Sequence, residues 1–352
     1  MIRRFLPEII SRQLPLRWRL RLERGITDEE FRDFHLATRD AVFRDNFLGE
    51  QEQRRLLNYL NPRKYYILVR NKYLSHLLFT QGGIRRAPLY ACYIPEGRFA
   101  TGSDIATDCA GVCALLQRKG VKRFMVKPVE NSHGDDVYLV ENLEFTDRDA
   151  RLFLSSGEQK DLSKLLGDSP LVFEGVVTQT AQFAAFNPSS VNTVRFMTAL
   201  YPDGDVKIIA TFIKIGRAGR WVDNAGGGGN VDVAIDVASG RLEHAILFEG
   251  WDKVTDIDVH PDTGARLNGV VIDNWAAVKE EVKDFQRAFP YCKVGGWDIA
   301  LTDEGPLAIE VNDFWDRTGQ LFIRRGWRRE VRDCYDAWKK TGRNYFFGRK
   351  LR

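Results

Sequence analysis

Cysteine, histidine and methionine are scarce in this 352-residue chain, with five, five and three copies. Cys92, Cys109, Cys113, Cys292 and Cys334 are odd in number and widely spread, which argues against a disulfide framework and suits a reducing compartment. Cys109 and Cys113 stand one helical turn apart, yet no second pair completes a zinc site, so helix packing accounts for them. His244 and His260 have no partners at metal-ligand spacing. No run of eighteen apolar residues occurs, so no membrane span is expected. The opening "MIRRFLPEII" has basic residues but no uninterrupted apolar stretch, and is not expected to act as a secretory signal. Internal repeats and low-complexity tracts are also missing. What is present, 44% hydrophobic and 28% charged residues, is enough for a full core in two or three lobes.

The formal net charge of +4 conceals a division. Residues 1–25 carry +5 and residues 323–352 carry +8, which leaves −9 on the 297 residues between them. Aromatic residues (Trp18, Trp327, Trp338, Phe346, Phe347) are interleaved with the charges at both ends. Basic ends around an acidic body suggest a polyanionic partner such as an anionic glycan or membrane surface. Ordinary solvated helix surface, with arginine stems lying along the body, is the equal competitor. No nucleic-acid recognition motif is present, so nucleic acid is not expected. The expected location is cytoplasmic, peripheral to the inner membrane face if the basic ends bind one.

Hydrophobic periodicity gives a mixed order of elements. Residues 1–70 read as helical, apart from "KYYILV" (64–69), which suits a short strand. A helix opening at Lys72 stops at Gly82–Gly83, a strand follows near 89–94, and "TDCAGVCALLQRKG" is a second helix. "RFMVKP" and "VYLV" form a hairpin across the loop "VENSHGDD", and a polar segment (141–168) leads to the buried strand "PLVFEGVVTQ". "VNTVRFMTAL" and "VKIIATFIKIG" pair across Pro202–Asp203–Gly204, and "DNWAAVKEEVKDFQRAF" is a helix. Strands and helices do not alternate strictly, so the expected class is α+β.

The stretch "GGWDIALTDEGPLAIEVND" (295–313) carries the most chemical information. Alternation puts Trp297, Ile299 and Leu301 on one strand face and Asp298 on the other. After the turn Asp303–Glu304–Gly305–Pro306, Glu310 and Asn312 share a face on the return strand. Two carboxylates and an amide inside apolar strands are costly unless a cation or a solvated cleft receives them. Such hard oxygen donors suit Mg²⁺. Upstream, Lys127 lies on an apolar strand before a loop with Ser132 and Gly134, a plausible phosphate clamp. Lys72, at a helix start, is within reach of another phosphate.

In order, Lys72, Lys127 with its Ser/Gly loop, Glu174 on a strand, and Asp298…Glu310–x–Asn312 resemble the ATP-grasp fold over roughly residues 65–320. "NTVRFMTAL", "WVDNAGGGGNVDVAIDVASG" and "GWDIALTDEGPLAIEVN" are similar to the sugar-transfer-associated ATP-grasp group in particular. The resemblance implies two α+β lobes gripping ATP. Expected bounds are a helical N-terminal region (1–70), a small lobe (71–173), a C-terminal lobe (174–322) and a basic C-terminal helix (323–352). It implies that Lys72 and Lys127 hold the α- and β-phosphates, and that Ser132, His133 and Gly134 close over them. Glu174 and the backbone of Val176 and Val177 correspond to the adenine hinge. Asp298, Glu310 and Asn312 correspond to ligands of two Mg²⁺ ions, with Mn²⁺ as an alternative metal. The implied activity is ATP-dependent carboxylate–amine ligation through an acylphosphate, with a sugar carboxylate in polysaccharide synthesis as the substrate guess.

Two features depart from the pattern. Ligases such as D-alanine–D-alanine ligase carry an arginine two residues before the first metal aspartate, where Gly296 stands here. Arg195, the first choice, or Lys214, Arg217 or Arg220 would supply the missing charge. The segment after the hinge holds no acid for ribose, so Gln179 or Asn192 is the substitute. "DNAGGGGN" is a candidate lid, with a plain connector as a fair competitor. Rival readings are a nucleotide-binding regulatory protein without turnover and, more weakly, a glycosyltransferase using Asp256–Ile257–Asp258 as a metal-binding pair.

Overall fold

A computed structural model describes residues 14–95, 102–130, 136–219, 229–344 and 349–350. Among the described residues four short helices come first: α1 (Leu16–Arg24), α2 (Asp28–Asp33), α3 (Ala41–Asn46) and α4 (Glu50–Leu60). A 3₁₀ turn (Arg63–Tyr65) then leads to α5 (Tyr66–Arg70) and α6 (Lys72–Gln81). The stretch read as a strand at 64–69 is therefore helical. A short apolar run cannot distinguish a strand from a buried helix turn, and here Val69 packs into the core from a helix. The side chain of Asn71 caps α6 by accepting from the Leu74 amide at 3.0 Å, which places Lys72 in the first helical turn.

Two seven-stranded sheets follow. The first has the order β2-β1-β7-β3-β4-β5-β6 and uses Leu89–Tyr93 (β1), Ile105–Ala106 (β2), Phe124–Pro128 (β3), Tyr138–Phe145 (β4), Ala150–Leu154 (β5), Gln159–Asp161 (β6) and Leu171–Glu174 (β7). Helix α7 (Cys109–Arg118) covers it with Val112, Leu115 and Leu116. The supposedly polar segment 141–168 thus continues β4 and contributes β5 and β6. Its inward residues Leu143, Ala150, Leu152 and Leu154 are buried at alternate positions among exposed charges, a period easily masked by the charges.

The second sheet has the order β12-β11-β10-β9-β8-β13-β14. Its strands are Thr193–Leu200 (β8), Val206–Ile215 (β9), Asn230–Ile235 (β10), Leu242–Gly250 (β11), Lys253–Asp256 (β12), Val294–Thr302 (β13) and Gly305–Asn312 (β14). One face packs on the long helix Trp275–Ala288 through Val194, Phe196, Ile213, Val231, Val233, Trp297 and Ile299. On the other face, Met197, Ala199, Ala210 and Val294 meet α4 and the C-terminal helix Arg328–Lys340. That helix, read as a separate basic unit, is tied into this core by Val331, Cys334 and Trp338.

Its charges are tied in as well. Arg328 and Arg332 reach Glu52 on α4 at 2.6 and 2.9 Å, Arg325 pairs with Glu330, and Arg324 pairs with Asp256. Three arginines of the basic C-terminus, Arg324, Arg328 and Arg332, are therefore paired with acidic residues distant in sequence. Of the Asp256–Ile257–Asp258 motif, Asp256 is the partner of Arg324 and Asp258 accepts from Asn268 at 2.7 Å.

Candidate functional site

The two sheets are joined by an irregular segment after β7. Gly175 is required there, because a Cβ would come 2.7 Å from Pro88 Cγ, and its amide donates to the Pro88 carbonyl at 2.8 Å. Thr180 then anchors the chain to the second sheet through the Leu301 carbonyl at 2.8 Å. Val176 and Val177, half-buried between these anchors, find no backbone partner among the described residues.

At the end of β7, Glu174 is buried and held by two cations. Lys127 Nζ, from β3, lies 3.0 Å from Oε2, and Arg86 pairs with Oε1. Burial alone would raise the Glu174 carboxyl, but Lys127 and Arg86 outweigh it and hold it down at about 2. Lys72 stands close to this cluster, its own amide bonded to the Val129 carbonyl just after β3 at 2.9 Å. Burial lowers the Lys72 ammonium, Glu310 and Glu174 raise it, and Lys127 lowers it. The start of α6 is thus close enough to the first sheet and to Glu310 of the second to feel the charges of both.

The second sheet brings Asp298 between Arg195 on β8 and Glu310 on β14, as direct cross-strand partners. The expected hairpin is present, with Gly296 opposite Asn312 and a bulge after Asp298. Arg195 forks onto Asp298 at 2.6 and 2.9 Å, and Lys214 Nζ from β9 joins at 3.1 Å. Burial would raise Asp298, yet these two cations keep it well below the usual carboxylate range. Gly296 lies beside the Arg195 side chain and is crowded on its other side by Trp315. A Cβ on residue 296 would lie 3.3 Å from Trp315 and 3.6 Å from the Arg195 side chain. The neighbouring strand thus supplies a guanidinium where the hairpin itself has none.

Glu310 is exposed, and Asn312 donates to it at 3.1 Å. Glu310, Asn312 and Asp298 form a hard oxygen set on one sheet face, which fits Mg²⁺ in kind. Among the described residues no cluster of three His, Cys, Asp or Glu side chains is arranged to hold a metal alone.

Other candidates are placed differently. Arg217 is committed to Asp262 at 2.7 Å through two nitrogens and to the Gly229 carbonyl at 3.1 Å. Asp262 also accepts from the Ala218 amide, and His260 bonds the Gly216 carbonyl, so the turn 260–264 clamps the residues flanking the glycine run. Neither Asp262 nor this role of His260 was visible from spacing alone. Gln179 donates to the carbonyls of Asn187 and Ser190, and Asn192 to those of Phe183 and Asn187. Both side chains, expected at a ribose, are bonded within their own loop. Ser132, His133, Gly134, Arg220 and glycines 226–228 lie outside the described residues.

The sugar-transfer-associated ATP-grasp family model matches residues 51–334. The chain belongs to that family. No curated protein matches it. Similar solved structures include a biotin carboxylase from Campylobacter jejuni with an ATP analogue (9% identity, 77% of this chain and 46% of that one, TM-score 0.45). A D-alanine–D-alanine ligase from Helicobacter pylori has 11% identity, covering 79% and 61%, with a TM-score of 0.40. The biotin carboxylase domain of a Hydrogenobacter thermophilus 2-oxoglutarate carboxylase, with Mg-ADP and bicarbonate, has 10% identity over 82% and 48%, TM-score 0.41. The family chain therefore spans about half to three-fifths of these three molecules. Among its described residues no helix is long and apolar enough to cross a membrane.

Proposed function

We propose that this ATP-grasp protein is an ATP-dependent carboxylate–amine ligase working through an acylphosphate, with a sugar carboxylate as the substrate class suggested by its family. The observation that carries this reading is the position of Lys72, which feels Lys127 and Glu174 of the first sheet and Glu310 of the second. Phosphates fit the lysine side, and the backbone at Val176 and Val177 suits a nucleobase edge.

A carboxylate oxygen of the substrate attacks the γ-phosphorus and ADP leaves. An amine nitrogen then attacks the acyl carbon, phosphate departs, and the nitrogen gives up a proton. Both steps bring anions together, so cationic side chains that stay in place lower the barrier. Lys72 and Lys127 would bind and orient the triphosphate, and Arg195, fixed by Asp298, would hold charge near the transferring group. Glu310, Asn312 and Asp298 would hold Mg²⁺, which supplies charge neutralisation at the phosphates when bound. With so few protein ligands, such an ion would share its coordination with the nucleotide.

The test is ADP formation from Mg-ATP across a panel of carboxylates, uronic acids included, paired with amines. ADP that appears only with one carboxylate supports the ligase. Tight Mg-ATP binding without turnover favours the regulatory reading, which the commitment of both Arg195 and Lys214 to Asp298 keeps open. A polyanionic partner stays a proposal for both ends: Trp18 is half exposed on an arginine-rich helix, but Arg17 and Arg21 there pair with Asp28, as Arg328 and Arg332 at the other end pair with Glu52.

A further inference from the structure

The strand "NVDVAI" repeats the signal that singled out Asp298, a carboxylate set inside an apolar strand. Asp232 occupies the middle of β10 and is fully buried. Its chain neighbours Val231 and Val233 point into the core on the helix side, so Asp232 faces the other way, with Asn230, which is also buried. In the sheet register Asp232 is directly opposite Lys214, and Lys214 is opposite Thr193. Directly opposed side chains on one face start about 5 Å apart at their Cβ atoms, within easy reach of a lysine.

A charged row therefore crosses four adjacent strands: Asp232, Lys214, Arg195 and Asp298. Lys214 reaches Asp298 at 3.1 Å, and all four side chains are buried or nearly so. Asp232 thus places a second carboxylate on the same sheet face as the two cations, directly across from Lys214, in a poorly solvated place.

We infer that Asp232 is a positioning residue that holds the Lys214 ammonium between two carboxylates and thereby sets the field on that sheet face. Lys214 is then not locked to Asp298. Its ammonium can turn toward an incoming phosphate while Asp232 keeps it charged and within the row. This role rests on the proposed nucleotide reading, and the pairing of Asp232 with Lys214 can be tested apart from it.

The experiment is a double-mutant cycle with Asp232→Asn and Lys214→Met in the full chain, read in two ways. Denaturant unfolding without nucleotide reports the pairing itself. The two changes should be strongly non-additive, and additive losses overturn the pairing. Calorimetry with Mg-ATP reports the functional consequence. Asp232→Asn should weaken binding about tenfold, add less than about twofold in the Lys214→Met background, and be largely rescued by Asp232→Glu. Parental affinity in Asp232→Asn, or the same loss in both backgrounds, overturns the positioning role. If Asp232→Asn does not fold, the Lys214→Met/Asp232→Asn chain decides, because it removes both charges. Affinity equal to that of Lys214→Met supports the role, and weaker binding overturns it. A parent chain that fails to bind Mg-ATP overturns the nucleotide reading, while the unfolding cycle still judges the pairing.

Discussion

Each lobe buries one carboxylate under two cations, yet the two lobes do not offer a ligand the same field. In the first, Glu174 is held by Lys127 and Arg86, with Lys72 close by, so the cluster carries excess positive charge. In the second, Asp298 is held by Arg195 and Lys214, but Asp232 stands behind Lys214 and exposed Glu310 stands beside Asp298. The five side chains named there sum to one negative charge. On the proposed reading the same local device, a carboxylate pinned by two cations, serves a phosphate-binding wall and a cation-binding wall. The difference comes from the neighbours, one more lysine against two more carboxylates.

The largest effect should come from breaking the pin in the second lobe. Asp298→Ala strands Arg195 and Lys214 in a buried place, and should cost about 3–5 kcal/mol of unfolding free energy. Urea unfolding measures it. A cost below about 1 kcal/mol would mean that these cations relax into solvent and the second wall is softer than described. Glu174→Ala in the first lobe sharpens the comparison, since Arg86 is as buried as Lys214.

Glu310→Gln probes the exposed member of the second wall. Its folding stability should stay within about 0.5 kcal/mol, as for most exposed positions. Turnover should fall by about 100-fold or more, the size of effect expected from losing one electrostatic partner of the transition state. Near-parental ADP formation would remove Glu310 from the metal set. On the first wall, Lys127→Ala should raise the Mg-ATP dissociation constant about tenfold or more, the worth of one charge-assisted hydrogen bond. Calorimetry giving an unchanged constant would leave Lys127 as a partner of Glu174 and nothing more.

How much of this was legible depends on sequence distance. The 298–312 hairpin could be read because its two strands are adjacent and the alternation is plain. Lys72 and Lys127 could be placed on their elements for the same reason. The pin on Asp298 joins strands that are about a hundred residues apart, and no local pattern reports which strand lies beside which. Arg195 was a reasonable choice only because a charge was missing at Gly296. Asp232 carried a readable signal, a carboxylate between valines, that was overshadowed by the glycine run just before it. The basic C-terminus shows a different limit. Counting charges reveals excess, but not that Glu52 waits about 280 residues upstream for Arg328. Gln179 and Asn192 show a third limit, because an amide looks the same in sequence whether it serves a ligand or its own loop.

The smallest effect concerns His76 on α6, on the first wall. Its Nδ1 is buried without a hydrogen-bond partner among the described residues. Burial, and then Arg86, lowers its pKa from 6.5 to about 4. Between those values the unfolded chain takes up a proton that the folded chain refuses. Stability should therefore fall as pH drops through that window and level off below about 4. Glu174 does not blur the reading above its ordinary value of 4.5, because its lowered pKa removes stability only as pH falls from there toward about 2. Melting temperature measured from about pH 7 to about pH 5 should decline gently in the parent and less in His76→Gln. Identical slopes would show that the ring accepts its proton in the folded state, and that the first wall is open enough to solvent to tolerate one more positive charge.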